Sequence, residues 1–208
     1  MKKLISLLVA LPLILLAETS TPKGFTDNLD EAMATAKKDG KLIYVCFSGS
    51  DWCYWCQKLD EEVFATGEFA EQVKNDYICV FIDSPRNKKL LSDHARTNNP
   101  KIRRKFGVNA FPSGFVLDPA DGEIIADVYC SGGKPASFAK RLKNIRKNPQ
   151  ARKARYQARR IKKAEAARKR AEEKKRLAEE KKRKIAEEAQ KQSEQAAKPT
   201  VPVNPVKE

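Results

Sequence analysis

Blocks of apolar and polar residues along the chain predict a β-sheet covered by helices. Two unbroken apolar runs, 42–47 and 77–82, have the length and composition of strands that are buried on both faces. Shorter apolar runs at 115–117 and 124–129 flank the turn sequence Asp-Pro-Ala-Asp-Gly at 118–122, which predicts a β-hairpin. These four segments are the predicted sheet.

Helical periodicity occupies the segments between the strands. Asp27 or Asn28 is in position to cap the first helix, and Gly40 ends it. The predicted helices are 28–38, 53–64, 68–75 and 137–146. The polar stretch 92–101 is predicted to contain a loop. Helical segments that alternate with strands in this way predict an α/β domain with a mixed sheet and helices on both faces.

Sequence complexity falls after Asn148-Pro149. Residues 149–198 are mainly Lys, Arg, Glu and Ala and predict a long charged helix, in which six Glu precede a Lys or Arg by four residues. A seven-residue frame through this segment is also conceivable, but charged residues occupy its first core position three times. A solitary helix is therefore favoured over a coiled coil. Residues 199–208 contain three prolines and are predicted to be a disordered tail.

The first 17 residues have the pattern of a secretory signal peptide. Lys2 and Lys3 precede the apolar stretch 4–16, and Ala17 is the expected last residue before cleavage. The stretch is short for a membrane span, which favours a cleaved signal over an N-terminal anchor. A short Lys-Lys start is typical of bacteria, so we expect a periplasmic or otherwise exported protein.

Charge separates the predicted domain, 18–148, from the segment that follows it. The chain has 208 residues and a net charge of +15, and residues 151–198 hold 19 Lys and Arg against 8 Glu. We expect this basic helix to meet an envelope protein or an acidic surface, or to be a solvated spacer. Nucleic acid is not an expected partner, because the protein is predicted to be exported and Tyr156 is the one aromatic residue of 151–198.

Five cysteines offer different chemistry. Cys46 and Cys79 lie inside apolar runs and are expected to be buried core thiols. Cys130 follows an apolar run, and its sequence context fits a core position better than a position near the site. Cys53 and Cys56 form a C-x-x-C pair where a strand leads into a helix, and the free N–H groups and dipole of a helix start stabilise a thiolate.

A zinc site is the alternative interpretation of a C-x-x-C pair, but it needs two further ligands. The chain has one histidine, His94, in a polar stretch where a surface position is expected. We predict no metal ion.

The sequence Asp-Trp-Cys-Tyr-Trp-Cys at 51–56 resembles the W-C-x-x-C active site of the thioredoxin superfamily. Residues 106–113 are similar to the family's F-G-V-x-x-x-P-T segment, with Ser in place of Thr, and 121–123 matches the turn of its last hairpin. The resemblance covers about 25–147. It implies a thioredoxin-like fold, with a central mixed β-sheet flanked by helices, and here the long charged helix follows it.

The resemblance also implies roles for individual residues. Cys53 is then the nucleophile and Cys56 the resolving thiol, and their redox-active disulfide takes the place of a cofactor. Pro112 is expected to be cis, and Phe111 to offer backbone groups to an extended substrate. The predicted substrate-binding residues are Trp52, Tyr54, Trp55, Phe111 and Pro112, with core packing as the alternative for the two tryptophans.

One position departs from the family pattern. Many thioredoxins carry a buried Asp on the strand before the motif, where this chain has Cys46. Asp51 and Glu61 are the candidates to replace that carboxylate.

We expect an exported thiol–disulfide oxidoreductase that acts on the thiols and disulfides of envelope proteins. The alternative is a thioredoxin-fold interaction module or scaffold with a helical spacer and little redox catalysis.

Overall fold

A computed structural model describes residues 20–130 and 132–196 of the chain. The predicted signal peptide, 1–17, and the predicted Pro-rich tail, 199–208, lie outside the described residues. The chain divides into two units, one ending at Tyr156 and the other beginning at Gln157. The described part of the first unit, 20–156, is called the domain below.

The domain contains a mixed five-stranded sheet in the order β1-β3-β2-β4-β5. Its strands are β1 (Phe25–Thr26), β2 (Leu42–Ser48), β3 (Tyr77–Asp83), β4 (Ser113–Leu117) and β5 (Ile124–Val128). β2 is central, parallel to β3 and antiparallel to β4, while β4 and β5 form the predicted hairpin. β1 was not expected from the sequence. Its two residues extend the sheet by pairing with Cys79 and Val80.

Helices cover both faces of this sheet, as the sequence predicts. They are α1 (Leu29–Asp39), α2 (Tyr54–Leu59), α3 (Glu68–Val73), α4 (Asp93–Lys105), α5 (Pro135–Arg146) and α6 (Pro149–Ala196). A π-helical turn, Asp60–Phe64, continues α2. Asn28 caps α1 by accepting a hydrogen bond from the Glu31 N–H, and Gly40 ends that helix in the left-handed conformation, at φ 66°.

The loop predicted at 92–101 is wrong, because this segment forms most of α4. Ser92 caps the helix by accepting a hydrogen bond from the Ala95 N–H at 3.0 Å. Few apolar residues mark its buried face, where the amide of Asn99 donates to the Asp83 carbonyl at 3.0 Å. Pro100 lies inside the helix and also hides the helical pattern in the sequence.

The two faces of the sheet bury separate apolar clusters because successive β2 side chains point to opposite sides. Tyr44 and Cys46 face one cluster, and Val45 and Phe47 face the other. The first cluster is rich in aromatic rings with centroids 4.8–6.4 Å apart, namely Phe25, Tyr44, Phe64, Phe69 and Phe138. These clusters fix the strand that leads into Cys53.

The second unit contains the part of α6 beyond Tyr156, where every described side chain is exposed. Its ion pairs join residues four apart: Arg168 with Glu172, Lys175 with Glu179, Arg183 with Glu187, and Glu180 with Lys184. Only the last has the predicted order, with the acid first. Within 20–130 and 132–196, no helix combines the length and apolar character that a bilayer crossing requires.

Candidate active site at Cys53 and Cys56

A tight loop carries the chain from the end of β2 to Cys53 and Cys56. The carbonyl of Gly49 accepts hydrogen bonds from the N–H groups of Trp52, at 3.2 Å, and Cys53, at 2.8 Å. A Cβ at Gly49 would overlap the indole of Trp52. The absent side chain therefore allows the tryptophan to pack against the loop beside Cys53.

Two aspartates anchor this loop. Asp83, at the end of β3, accepts hydrogen bonds from the backbone N–H of Ser50, at 2.9 Å, and from its hydroxyl. Asp51 accepts from the N–H groups of Arg86, at 2.9 Å, and Asn87, at 2.8 Å. Desolvation raises the pKa of Asp51, but the N–H groups of Asn87, Arg86 and Asp51 itself, together with the Arg86 charge, lower it overall. Both oxygens of this exposed carboxylate are thus engaged in loop contacts.

Cys53 and Cys56 form a disulfide, with their Cα atoms 5.2 Å apart. Cys53 is the N-cap of α2, and its Sγ accepts a hydrogen bond from the Cys56 N–H at 3.3 Å. The same contact favours a thiolate on Cys53 once the disulfide is reduced. Cys53 is 8% exposed and Cys56 only 3%, so Cys53 is the more accessible of the two cysteines.

Aromatic groups from two loops meet beside the disulfide. The indole of Trp52 donates to the Ser84 carbonyl at 2.9 Å, and its ring lies edge-to-face with Phe111 at 5.5 Å. The Phe111–Pro112 peptide is cis, as the resemblance implies, and it directly precedes β4. The structure therefore brings Trp52 and Phe111 together at the disulfide loop.

Tyr54 and Trp55, between the cysteines, are solvent-facing. Their side chains are 65% and 61% exposed, and their rings contact each other edge-to-face at 5.2 Å. Core packing, the alternative considered for Trp55, does not fit this exposure. The pair forms an exposed aromatic surface at the first turn of α2.

Sequence reasoning missed Asp60, which lies one helical turn after Cys56. The two residues line one cavity of about 110 Å³, together with the exposed Glu61. Asp60 Oδ1 is buried and has no hydrogen-bond partner among the described residues. Burial, followed by the negative charges of Glu61 and Asp83, raises the pKa of Asp60. In the sequence, the four-residue spacing between Cys56 and Asp60 is the signal that could have placed this carboxyl on the same side of a helix as the cysteine.

The remaining cysteines are free thiols. Cys46 and Cys79 are buried, as expected, and Cys130 is partly buried against the aromatic cluster. His94 is partly exposed and lies beside Asn98 in α4. In the part of the chain that the structure describes, no group of three or more His, Cys, Asp or Glu side chains is arranged to hold a metal ion.

The fold and the cysteine pair are those of the thiol–disulfide oxidoreductase class of proteins. Residues 29–146, more than half of the chain, match the model of the thioredoxin-like domain family, and the chain belongs to that family. Thioredoxin-like proteins of this kind use a cysteine disulfide in place of an external cofactor.

Two relatives of this chain come from Chlamydia pneumoniae. The chain is 29% identical to the disulfide bond reductase DsbH over 117 residues, which are 56% of this chain and 69% of DsbH. It is 30% identical to the thioredoxin-related protein DsbJ over 118 residues, which are 56% of this chain but only 34% of DsbJ. A solved DsbH oxidoreductase structure has a TM-score of 0.53 and 23% identity, covers 70% of this chain and 95% of its own, and shows the shared fold.

Proposed function

We propose that this protein is an exported oxidoreductase that exchanges disulfides with proteins of the bacterial envelope. The observation that carries the proposal is the Cys53–Cys56 disulfide at the start of α2 in a thioredoxin-like domain. The similarity to a disulfide bond reductase supports thiol–disulfide chemistry, and the signal-like pattern of 1–17 supports export.

The proposed exchange takes two steps. The Cys53 thiolate attacks a substrate disulfide, which gives a mixed disulfide and releases one substrate thiolate. Cys56 then attacks the Cys53 sulfur, which forms the Cys53–Cys56 disulfide and releases the second substrate thiol. The reverse sequence oxidises a substrate dithiol.

The exposed surroundings of Cys53 suit a protein substrate. We assign Trp52, Phe111 and Pro112 to the groove that holds an extended segment next to the sulfur. Tyr54 and Trp55 supply exposed aromatic contact area, which is enriched at protein interfaces.

Asp60 is the proposed proton acceptor for Cys56. Its carboxyl lines the same cavity as Cys56, has an unpartnered buried oxygen and has a raised pKa. A carboxyl in such surroundings takes up a proton more readily than an exposed one. It supplies the proton acceptor that many family members place at the position of Cys46.

The basic segment after the domain is proposed to hold the enzyme near an acidic envelope surface or protein. Two observations support this role: the described side chains beyond Tyr156 are exposed, and 151–198 hold 19 Lys and Arg against 8 Glu. Deletion of 157–208 is then expected to release the protein from isolated envelopes at low salt while leaving disulfide exchange intact. Unchanged retention would contradict the role.

Trapping tests the proposed chemistry in the native compartment. A Cys56→Ser variant cannot resolve the mixed disulfide, so it is expected to accumulate covalent complexes through Cys53 that dithiothreitol releases. A Cys53→Ser/Cys56→Ser variant is the matched control and should capture nothing. Equal capture by both variants, or by neither, would contradict the proposal and favour the interaction-module alternative.

A further inference from the structure

Two cysteines outside the active site, Cys46 and Cys130, lie on the same side of the sheet. Cys130 follows β5, and its Sγ lies 3.5 Å from the Tyr44 hydroxyl while its thiol donates to the Val128 carbonyl at 3.2 Å. Strand register places Cys46 beside the same point, because Cys46 pairs with Gly114 and Gly114 pairs with Val128. Directly paired residues lie on one face of a sheet, and Cys130 packs against the apolar cluster on that face, which includes Cys46 and Val128.

The missing side chain of Gly114 makes room for Cys130. A Cβ at Gly114 would lie 2.5 Å from the Cys130 Sγ, so this sulfur occupies the place of a side chain at position 114. Cβ atoms of directly paired residues are about 4.5–5.5 Å apart, and a disulfide requires about 3.5–4.5 Å between its own Cβ atoms. Cys46 is the direct partner of Gly114, so the Cys130 sulfur, in the place of the Gly114 side chain, lies about one cross-strand spacing from Cys46.

The surroundings of the two thiols shift their pKa values in opposite directions. The hydrogen bond from Cys46 lowers the pKa of Cys130, and the Tyr44 hydroxyl and the Arg141 charge add to the effect against the opposing influence of burial. Arg141 Nε is itself buried without a hydrogen-bond partner among the described residues. The same hydrogen bond and deep burial raise the pKa of Cys46. Cys130, which is also partly exposed, is the better attacking thiol.

Cys79 provides an internal contrast. It is buried in β3, and burial alone raises its pKa to about 12. Burial disfavours its thiolate, so Cys79 is the less reactive thiol with which the other two are compared.

We propose that Cys46 and Cys130 are a second redox-active dithiol, which low-molecular-weight disulfides oxidise to a Cys46–Cys130 disulfide. The Cys130 thiolate attacks one sulfur of the small disulfide and displaces a thiolate, which takes a proton from solvent. Cys46 then attacks the Cys130 sulfur, and its proton goes to the second departing thiolate. One small disulfide is thereby reduced to two thiols while one S–S bond forms in the protein. This centre does not depend on the proposed function of Cys53 and Cys56.

Peptide mapping tests the second pair directly. The full chain carries Cys53→Ser and Cys56→Ser, because Cys46 shares tryptic peptide 42–58 with both active-site cysteines. The three remaining cysteines then lie in separate peptides: 42–58, 75–86 and 106–140. After the folded protein is oxidised with oxidised glutathione and then alkylated in denaturant, we expect peptides 42–58 and 106–140 to be linked until dithiothreitol separates them, and peptide 75–86 to be alkylated.

Two further variants on that background serve as controls. Addition of Cys79→Ser should leave the linked peptides unchanged, and addition of Cys130→Ser should abolish them. The proposal is overturned if all three cysteines of the folded protein are still alkylated, or if peptide 106–140 carries only a glutathione adduct.

Wild-type protein gives an independent measurement if the double-serine variant does not fold. After the same oxidation, one alkylated cysteine per chain, in peptide 75–86, supports the second pair. Three alkylated cysteines, the free set seen in the structure, would overturn it.

Discussion

The domain and the exposed part of α6 differ in the side-chain interactions that stabilise them. In the domain, aromatic rings such as Phe64, Phe69 and Phe138 are buried on one face of the sheet and hold the strand that leads to Cys53. Beyond Tyr156, every described side chain of α6 is exposed, and charged side chains one helical turn apart form ion pairs, such as Arg168 with Glu172. Substitutions should therefore have large effects in the first region and small effects in the second.

The largest effect on stability is expected when a side chain in the core of the domain is truncated. Phe69→Ala removes a fully buried ring that contacts Phe64 and Phe138 at 5.3 and 5.2 Å. We expect it to lower the free energy of unfolding by about 4 kcal/mol, measured by urea denaturation. Ile185→Ala, in the exposed helix at 66% exposure, is the matched control and should change it by less than about 0.5 kcal/mol. Similar losses for the two variants would contradict the comparison.

The next largest effect is expected at Asp60, where the domain has a buried polar group without a partner. Asp60→Asn should slow the resolution of a mixed disulfide about 100-fold, because the Cys56 proton loses its acceptor. Single-turnover release of a model substrate thiol measures this step. Glu61→Gln, which changes an exposed carboxyl lining the same cavity, should leave the rate nearly unchanged.

Asp60 also predicts a pH dependence of stability. Its pKa is raised in the folded state, so the folded chain holds this proton to higher pH than the unfolded chain does. Stability contributed by the protonated carboxyl is therefore lost as pH rises from the ordinary Asp range through the raised pKa. Denaturation at several pH values should show wild type and Asp60→Asn diverging over that window. Parallel curves would show that the carboxyl has an ordinary pKa.

Some parts of the fold and of the candidate site could be predicted from the sequence and others could not, and there is a physical reason in each case. The apolar runs 42–47 and 77–82 predicted β2 and β3 closely, because strands buried on both faces need continuous apolar sequence. Residues 93–105 gave no such pattern, because α4 buries only Ala95 and Asn99 and contains Pro100. The contact of Cys130 with Tyr44 depends on strand register across Gly114, which periodicity along one segment does not specify.

A smaller effect is expected on the exposed aromatic surface. Trp55→Ala should raise the KM for a protein disulfide about tenfold, because truncation of an interface aromatic commonly costs more than about 1 kcal/mol. The KM for a small disulfide should stay the same, since such a substrate does not cover Trp55. Steady-state kinetics with both substrates separates the two cases, and an equal rise for both would contradict a role in protein recognition.

The smallest effect is predicted in α6. Glu180→Ala removes the ion pair with Lys184, whose atoms are 2.9 Å apart, and should cost the helix about 0.3 kcal/mol. Circular dichroism of the helical segment at low salt measures the loss. High salt should erase the difference because exposed charges are screened; a difference that persists would point to contacts other than this ion pair.

The most direct test of the central claim is catalysed reduction of a model protein disulfide by the purified full chain. Wild type, supplied with dithiothreitol, is expected to reduce insulin faster than dithiothreitol alone, and Cys53→Ser should fall to that background. Cys79→Ser, which removes a buried thiol away from the site, should keep most of the wild-type rate. Wild type at background, or Cys53→Ser at the wild-type rate, would contradict the assignment of redox chemistry to Cys53.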